Sequence, residues 1–465
     1  MAGNLRPLRE RQDELQALLA AVGQARSGQP QLAVVSGLRG VGKSFLLQHF
    51  LERANAKDFT TVYFEATEAS ERDQLRRFAQ ALRDAVSDSL PVPAFSTWEQ
   101  ALTTCELLAR SLPLTIVIDE VTYLMDSTQG FASIVQAAWD QLAARASGPA
   151  LTIVLAGSAV GLIEDSLGYR GPLFNRPTVH LRINPFTPWE AFRFTARPDP
   201  VRLIEAYAAC GGYPGHLDAW DFTAPTDDNL LRLAGTARGL LLEDAQFMLA
   251  SIPESHRRVL LAVGQGRSKR NDISSEVGQR IDRPLEALVR ARLLVPATPL
   301  GAPIRTRPLF RVVDPYIRFW IRVLSNHVQR IEAGQGRGVL HNKSGEWQSQ
   351  LGFVFEQAAR EHAVRILGSG MLPAGTVVDE WWTTTGEQCQ VDVLGMQDGR
   401  TVLIGEARWQ RQPLGRSDLD KLGPSPRYVP HPTPDPWYVL WGRGGVQPDT
   451  TATKVLGYGP AEMLA

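Results

Sequence analysis

Short runs of β-branched and other apolar residues alternate with amphipathic segments along the first part of the chain. The amphipathic segments place apolar residues at helical spacing, whereas the short runs have the length and composition of strands. Because strands that alternate with helices are typical of a parallel sheet with crossover connections, the pattern predicts an α/β fold. The predicted strands are residues 31–36, 60–65, 114–119, 151–156 and 179–183.

A glycine-rich segment joins the first predicted strand to the following helix. Residues 37–44 read GLRGVGKS. Glycines let a backbone turn its amides toward phosphates at a helix N-terminus, where partial positive charge favours an anion. In such a loop the lysine reaches the β and γ phosphates, and the final hydroxyl residue ligates Mg²⁺. We therefore expect a nucleoside triphosphate and Mg²⁺ to bind through Gly37, Leu38, Arg39, Gly40, Val41, Gly42, Lys43, Ser44 and Phe45.

Polar side chains follow two other predicted strands. The third strand ends in Asp119 and Glu120. Beside a phosphate-binding loop, we expect Asp119 to hold Mg²⁺ through water and Glu120 to orient or deprotonate the water that attacks the γ-phosphate. The fourth strand leads to Ser158, at the sheet edge where open α/β folds bind ligands. Ser158 is predicted either to sense the γ-phosphate or only to start a turn. With Lys43, these residues are the predicted catalytic groups.

The order of these motifs resembles the archaeal-type ATPases, a branch of the AAA-like and STAND P-loop NTPases. The resemblance rests on the glycine loop, the Asp-Glu and Ser158 strand ends, and segments 167–176, 185–186 and 211–214. It implies that the ligand is ATP and that a helical subdomain caps the nucleotide. It extends to the C-terminus, which is similar to a domain of uncharacterised function that accompanies many members.

The resemblance implies roles for two further residues. Arg176 matches a basic position that acts as an arginine finger, which stabilises charge on the transferring phosphoryl group. A surface arginine that pairs with an acid explains it equally well. Pro214 matches a residue that contacts the base or ribose, although it also fits a rigid turn. An arginine finger acting in trans requires neighbouring subunits, so an oligomer or a protein partner stays open.

The sequence pattern of residues 254–313 predicts a winged helix. Helical patterns at 256–263, 272–277 and 282–294 precede a hairpin that turns near Gly301. This stretch holds 12 lysines and arginines against 5 acidic residues, a net charge of +7 in a chain of net charge zero. A basic third helix and wing suit contact with DNA phosphates, whereas the alternative is an internal lid or protein contact with solvated arginines. The predicted DNA-binding residues are Arg283, Arg290, Arg305 and Arg307.

Carboxylates in the last part of the chain resemble the core of the PD-(D/E)xK nucleases. Glu356 lies on a predicted helix, Asp392 on a strand, and Glu406 and Arg408 on the next strand. The resemblance implies that the carboxylates bind one or two Mg²⁺ ions and that a lysine positions the attacking water. Arg408 stands at the lysine position, and arginine is bulkier, forked and permanently charged. The segment is therefore expected either to cut DNA or to bind nucleic acid or a partner without cutting. A third alternative is ordinary strand-edge carboxylates paired with Arg408.

Together these patterns predict an α/β protein in which a P-loop parallel sheet with a helical cap precedes a winged helix and a restriction-endonuclease-like α/β domain. The predicted parts are the ATPase core at 1–190, the cap at 191–250, the winged helix at 251–324, a linker at 325–345 and the nuclease-like domain at 346–465. No apolar run approaches the roughly 20 residues of a membrane span, and three isolated cysteines suit a reducing cytoplasm.

The predicted function is Mg²⁺-dependent ATP hydrolysis whose cycle controls the DNA-associated winged-helix and nuclease-like domains. The alternative is an ATP-dependent signalling switch that binds protein or DNA partners and carries a catalytically dead nuclease-like domain.

Overall fold

The structure is a computed structural model that divides the chain into two compact units, a first unit at Met1–Pro185 and a second unit at Phe186–Ala465. It describes residues 5–86, 90–144, 148–250, 252–368, 375–383, 388–447, 450 and 454–465. No helix in these ranges is both long enough and apolar enough to cross a membrane.

A parallel sheet forms the centre of the first unit. Its five strands, as far as the structure describes this unit, are β1 Gln31–Ser36, β2 Thr60–Glu65, β3 Leu114–Asp119, β4 Leu151–Gly157 and β5 Val179–Arg182. Their spatial order is β2-β3-β4-β1-β5, and every neighbouring pair is parallel. The predicted parallel α/β sheet is confirmed, and each strand agrees with its predicted bounds to within one residue.

Helices accompany this sheet, and β1, β3 and β4 are buried over their whole length. Such burial on both faces is typical of a parallel sheet with helical crossovers. In the core, the fully buried Trp98 packs against the rings of Phe78 and Phe131, each at a centroid distance of 5.3 Å. The helices of this unit are α1 Gln12–Arg26, α2 Lys43–Asn55, α3 Glu71–Ala85, α4 Trp98–Ser111, α5 Thr122–Ser127, α6 Phe131–Ala143 and α7 Val160–Leu167.

The second unit begins with helices and a short hairpin. The helices are α8 Pro188–Phe194, α9 Pro200–Cys210, α10 Pro214–Ala219, α11 Thr226–Ala234, α12 Leu240–Ala250, α13 Glu254–Gly264, α14 Arg270–Val277 and α15 Asp282–Arg290. An antiparallel hairpin of β6 Val295–Ala297 and β7 Leu309–Arg311 follows α15. Further helices are α16 Pro315–Phe319, α17 Val328–Arg330, α18 Gly336–Asn342 and α19 Ser344–Gly368. Between them lie π-helical turns at Trp320–Leu324 and Ile331–Gln335 and a 3₁₀ turn at Ser325–His327.

Residues 325–345, predicted to be a linker, are helical over most of their length. Ile331 and Val339 are buried in this stretch. One of its glycines has a packing role, because a Cβ on Gly336 would lie 1.9 Å from the carbonyl oxygen of Gly235. The glycine that reads as flexibility in the sequence therefore lets α18 approach the end of α11 closely.

A mixed sheet forms the last part of the second unit. Its strands are β8 Val377–Trp382, β9 Gln390–Gln397, β10 Arg400–Arg408, β11 Pro432–Gly442 and β12 Val455–Tyr458, in the order β12-β11-β10-β9-β8. The pairs β8–β9 and β9–β10 are antiparallel, and the pairs β10–β11 and β11–β12 are parallel. Helix α20 Arg416–Leu422 connects β10 to β11, which allows their parallel pairing, and α21 Pro460–Leu464 follows β12.

Candidate active site

The loop between β1 and α2 has a backbone that only glycine adopts without strain at two positions. Gly40 has φ 85° and Gly42 has φ 94°. A Cβ on Gly37 would lie 2.3 Å from the carbonyl oxygen of Ile183, so no larger residue fits there. Gly42 is the N-cap of α2 and offers no side chain to its first amides, which therefore remain available to an anion. The loop thus has the cradle that a phosphate group requires.

Lys43 is held across this cradle by neutral partners. Its side chain is buried, and its Nζ donates hydrogen bonds to the carbonyl oxygens of Gly37 at 2.9 Å and Leu38 at 3.1 Å. Burial lowers the pKa of Lys43, although the charges of Glu120 and Asp119 oppose that shift. A desolvated ammonium without a full ion pair gains strongly from a phosphate. Beside it, Val41 is buried, Leu38 and Phe45 are partly buried, and Arg39 is exposed.

Two hydroxyl groups meet the carboxylate of Asp119. Oδ2 of Asp119 accepts hydrogen bonds from Ser44 Oγ at 2.7 Å and from the Tyr63 hydroxyl at 2.8 Å. Asp119 is 1% exposed, and burial together with its charge raises the pKa of Tyr63. Tyr63 was not predicted, because only the pairing of β2 with β3 brings it to this carboxylate.

The oxygen atoms of Ser44 and Asp119 suit Mg²⁺. This ion prefers oxygen ligands, keeps several waters and needs only one or two protein carboxylates in nucleotide sites. Ser44 and Asp119 would hold it, and the bound ion would supply positive charge to the phosphates. Within the described ranges, no group of three or more His, Cys, Asp or Glu residues is arranged to hold a metal.

Glu120 is positioned by the strand next to its own. Oε2 of Glu120 accepts hydrogen bonds from Ser158 Oγ at 2.7 Å and from the Ser158 amide at 3.3 Å. The backbone of Glu120 is left-handed, with φ 50°, a conformation that non-glycine residues adopt at a cost. Because β4 pairs with both β1 and β3, Ser158 is brought to this carboxylate. The structure gives Ser158 a contact that neither predicted alternative included.

Arg176 forms an ion pair at some distance along the chain from these motifs. Its Nε and Nη2 donate to the two carboxylate oxygens of Asp140 at 2.9 and 3.0 Å, and its Nη1 donates to the carbonyl oxygen of Phe174. The pairing with an acid is the second of the two predicted alternatives. A role as arginine finger stays a prediction, and it would require this ion pair to break.

Pro214 lies in the second unit, at the first position of α10. It follows Gly211, which has φ 58°, and Gly212, where a Cβ would lie 1.9 Å from the carbonyl oxygen of Phe186. The predicted rigid turn is therefore present. Contact of Pro214 with a base or ribose stays a prediction.

The four arginines predicted to bind DNA are exposed. Arg283 and Arg290 lie on α15, and Arg305 and Arg307 lie in the connection between β6 and β7. Other basic residues of the same stretch form ion pairs, such as Arg258 with Glu254 at 3.2 Å. This pair uses an acidic residue that is already counted in the net charge of +7, so the local excess of positive charge remains.

The second unit brings together the four residues predicted as a nuclease site. Burial and the charge of Asp392 raise the pKa of Glu356 on α19 to about 7. Asp392 on β9 accepts a hydrogen bond from the Ala407 amide at 3.1 Å, and burial raises its pKa. On β10, Glu406 Oε1 accepts hydrogen bonds from Nε and Nη2 of Arg408. One carboxylate of the cluster is thus neutralised by arginine.

Comparisons with known proteins identify two parts of the chain. Residues 8–219 match a family described as an ATPase domain predominantly from Archaea, and residues 320–421 match a family described as archaeal and bacterial proteins of unknown function. An uncharacterised protein of Methanocaldococcus jannaschii is 22% identical over 416 residues, which cover 86% of this chain and 87% of that protein.

Solved structures include a relative in fold. The Walker-type ATPase of Pyrococcus abyssi has a TM-score of 0.51 and 20% identity, and the match covers 69% of this chain and 99% of that one. The ORC2 protein of Aeropyrum pernix has a TM-score of 0.46 and 12% identity, with coverage of 74% and 98%. The predicted ATPase is confirmed: the protein is an ATPase, whose residues 8–219 are similar to the archaeal ATPase domain and whose residues 320–421 are similar to the second family.

Proposed function

We propose that this protein hydrolyses ATP in a Mg²⁺-dependent reaction and that the nucleotide cycle controls a DNA-associated winged helix and a nuclease-like domain that does not cut. The observation that best supports the proposed ATP hydrolysis is a set of side-chain contacts at one edge of the parallel sheet. Ser44 reaches Asp119 at 2.7 Å, and Ser158 reaches Glu120 at 2.7 Å. These contacts supply one carboxylate for the metal and another for the attacking water.

In this proposal each residue has a separate task. Lys43 leaves its two carbonyl partners to pair with the β and γ phosphates, while Ser44 and Asp119 hold Mg²⁺. Both hydrogen bonds from Ser158 reach Oε2 of Glu120, so Oε1 is the oxygen that accepts the proton of the attacking water. Ser158 therefore orients the general base, and Arg176 remains a candidate arginine finger.

The proposed winged helix comprises residues 251–324. The order of α13, α14 and α15 before the β6–β7 hairpin supports it, as do the exposed arginines on α15 and in the hairpin connection. We propose DNA as the partner, because clustered exposed arginines neutralise phosphates. We propose four further parts of the chain. They are the ATPase core at 1–190, its helical cap at 191–250, the linker at 325–345 and the C-terminal domain at 346–465.

The proposed nuclease-like domain derives its support from topology. Helix α19 precedes the antiparallel strands β8, β9 and β10, and α20 then leads to the parallel strand β11. This order carries Glu356, Asp392 and Glu406 on the elements that the PD-(D/E)xK resemblance requires. The ion pair of Arg408 with Glu406 favours a domain that binds without cutting, because the guanidinium occupies the carboxylate that a metal would need.

The first test is ATP turnover by the full chain with Mg²⁺ and with a chelator in its place. We expect turnover only with Mg²⁺, and we expect Ser44→Ala to require more Mg²⁺ for half-maximal rate. The exposed residue Ser133 on α6 offers a matched control, since Ser133→Ala should leave that requirement unchanged. Equal turnover with the chelator would refute the proposed metal dependence.

A second test decides whether the C-terminal domain cuts. The full chain is incubated with supercoiled plasmid DNA and Mg²⁺ beside Asp392→Ala. We expect no nicking above the level of that variant. Metal-dependent nicking that disappears in Asp392→Ala would instead establish an active nuclease and overturn the proposed dead domain.

A further inference from the structure

A cavity in the second unit is lined by three arginines. Its volume is about 240 Å³, and residues of α13, β7, α16, the following π-helical turn and α19 form its walls. Arg311, Arg318 and Arg322 are its charged residues, and Phe310 and Phe353 are its aromatic residues. Each lining residue with a formal charge is therefore positive.

One of these arginines already has a counter-charge. Arg311 forms an ion pair with Glu380, and its guanidinium lies 4.6 Å from the centre of the Trp382 ring. Its charge is therefore balanced inside the protein, and it contributes little net attraction for an anion.

The other two arginines lack such balance. Arg318 donates a hydrogen bond to Gln350 and lies 4.2 Å from the centre of the Phe353 ring, and both partners are uncharged. Among the described residues, no carboxylate forms an ion pair within 4.0 Å of Arg318 or Arg322. Two guanidinium groups thus share one cavity without a direct counter-ion.

The nearest carboxylates act only at longer range. Glu356 favours the charged form of Arg318, but burial and the charge of Arg322 prevail and lower the pKa of Arg318 to about 10. Glu346 lies within electrostatic range of Arg322, but its ion pair is with Lys343 at 2.8 Å. Like charges held together with partial loss of water cost free energy, which a bound anion would recover.

We propose that the cavity between Arg318 and Arg322 binds a phosphate group of a DNA strand. Guanidinium forks match the oxygens of a phosphate, and a volume of about 240 Å³ lies below the roughly 300 Å³ at which pockets begin to hold whole drug-sized ligands. The cavity suits a single phosphate group more than a complete nucleotide.

The elements that surround the cavity favour DNA as the source of the bound phosphate group. Walls of the cavity come from α13 and β7, which belong to the basic stretch proposed to contact DNA, and Arg318 is in electrostatic range of Glu356. A phosphate held here would bring a strand beside the nuclease-like carboxylates. The inference rests on the proposed DNA association and adds the site at which one backbone phosphate is held.

The test compares full-length wild type with Arg322→Gln. We measure binding of a labelled duplex by fluorescence anisotropy over a range of salt concentrations. Loss of one phosphate contact should weaken binding about 10-fold and reduce the slope of log K against log salt by about one. Arg330→Gln is the matched control, because Arg330 is an exposed arginine of the same unit, and it should change binding by less than about twofold.

Inorganic phosphate is titrated calorimetrically into the same proteins. This measurement tests whether the cavity binds phosphate at all, separately from whether DNA supplies that phosphate. Thermal unfolding checks that Arg322→Gln folds, and the variant should match or exceed the wild-type Tm because it removes a repulsion. Arg318→Gln, which removes the other unbalanced charge, should also weaken phosphate binding.

Four results decide the matter. Loss of both DNA and phosphate affinity in Arg322→Gln supports the site and its source. Phosphate binding that needs Arg322, in a protein that does not bind DNA, supports the phosphate site and rejects the proposed DNA association. DNA binding that is equal in Arg322→Gln and Arg330→Gln overturns the cavity site and leaves the association standing. Binding of neither ligand by wild type overturns both.

Discussion

Two groups of carboxylates in this chain differ in the charge of their partners. In the first unit, Asp119 accepts hydrogen bonds from the hydroxyls of Ser44 and Tyr63, and Glu120 accepts them from Ser158. In the second unit, Glu406 accepts hydrogen bonds from the guanidinium of Arg408. Hydroxyls orient a carboxylate and leave its negative charge, whereas arginine cancels that charge.

The difference separates carboxylates whose partners are uncharged hydroxyls from a carboxylate that an arginine already neutralises. A metal ion can displace a hydroxyl from Asp119 at the cost of one hydrogen bond to a charged group, about 1.5 to 3 kcal/mol. To bind at Glu406, the same ion would have to displace the exposed guanidinium of Arg408 from a carboxylate whose side chain is only 9% exposed. The identity of the partner, more than the presence of the carboxylates, therefore distinguishes the two sites.

The largest effect that tests the comparison concerns Glu120, the proposed general base. Glu120→Gln keeps the shape of the side chain and its contact with Ser158 but removes the proton acceptor. We expect kcat for ATP to fall about 100-fold or more while ATP affinity stays near the wild-type value. Steady-state turnover and equilibrium ATP binding measure the two quantities.

The control for that variant is Glu68→Gln, because Glu68 is an exposed glutamate of the same unit. It should retain wild-type turnover. If Glu120→Gln also retained wild-type turnover, another group would have to activate the attacking water. The proposed catalytic role of the carboxylate in the first unit would then be wrong.

The next effect concerns Glu356 in the second unit, whose pKa is raised to about 7 by burial and by Asp392. Between the ordinary pKa of glutamate and this value the folded state binds more protons than the unfolded state, so the free energy of unfolding falls as pH rises through this window. Glu356→Gln removes the buried charge. We expect the variant to be about 2 kcal/mol more stable than wild type at pH 8 and to lose that advantage below the unfolded pKa.

Denaturant unfolding at several pH values measures this difference. Glu332→Gln, at an exposed glutamate of the same unit, should show no such pH-dependent gain. A constant difference between wild type and Glu356→Gln across the whole range would mean that Glu356 is not held in its protonated form by the fold.

A smaller effect concerns Ser158, which orients Glu120 in the first unit. Ser158→Ala removes the 2.7 Å hydrogen bond from Oγ and leaves the 3.3 Å bond from the amide. We expect kcat to fall about 10-fold, which corresponds to the roughly 1.4 kcal/mol of one hydrogen bond to a charged group. The turnover of Ser133→Ala supplies the reference, because Ser133 lies far in sequence from any predicted site residue. Unchanged turnover in Ser158→Ala would mean that Ser158 only starts a turn and does not contribute to catalysis.

The smallest expected effect concerns Arg176. Because its guanidinium makes a two-point ion pair with Asp140 that is partly open to solvent, Arg176→Ala should cost about 1 kcal/mol of stability. We expect Asp140→Ala to cost a similar amount and turnover to fall by less than about tenfold in both. A fall of about 1,000-fold in Arg176→Ala alone would instead identify an arginine finger.

Sequence alone predicts the first unit well, because its signals are local. The strands are short apolar runs, and the phosphate loop requires glycine at positions such as Gly40 and Gly42, where φ is positive. The contacts of Tyr63 and Ser158 could not be predicted in this way. They depend on the order β2-β3-β4-β1, and the apolar pattern of each strand does not specify its neighbours.

The second unit illustrates two other limits. Residues 325–345 read as a linker because they are rich in glycine, yet Gly336 permits close packing against Gly235. By contrast, the sequence predicts strand-edge carboxylates paired with Arg408 as one of its alternatives, and the structure shows the pair of Arg408 with Glu406. The arginines of the cavity were not predicted, since residues such as Phe310 and Arg318 converge only through tertiary packing.

The measurement that tests the central claim most directly is ATP hydrolysis by the full chain with and without duplex DNA, beside Lys43→Ala. We predict Mg²⁺-dependent turnover that DNA stimulates and that Lys43→Ala abolishes. Turnover that persists in Lys43→Ala would contradict the assignment of the phosphate-binding loop. Turnover that needs Lys43 but ignores DNA would leave the ATPase site intact and contradict its control of a DNA-associated domain.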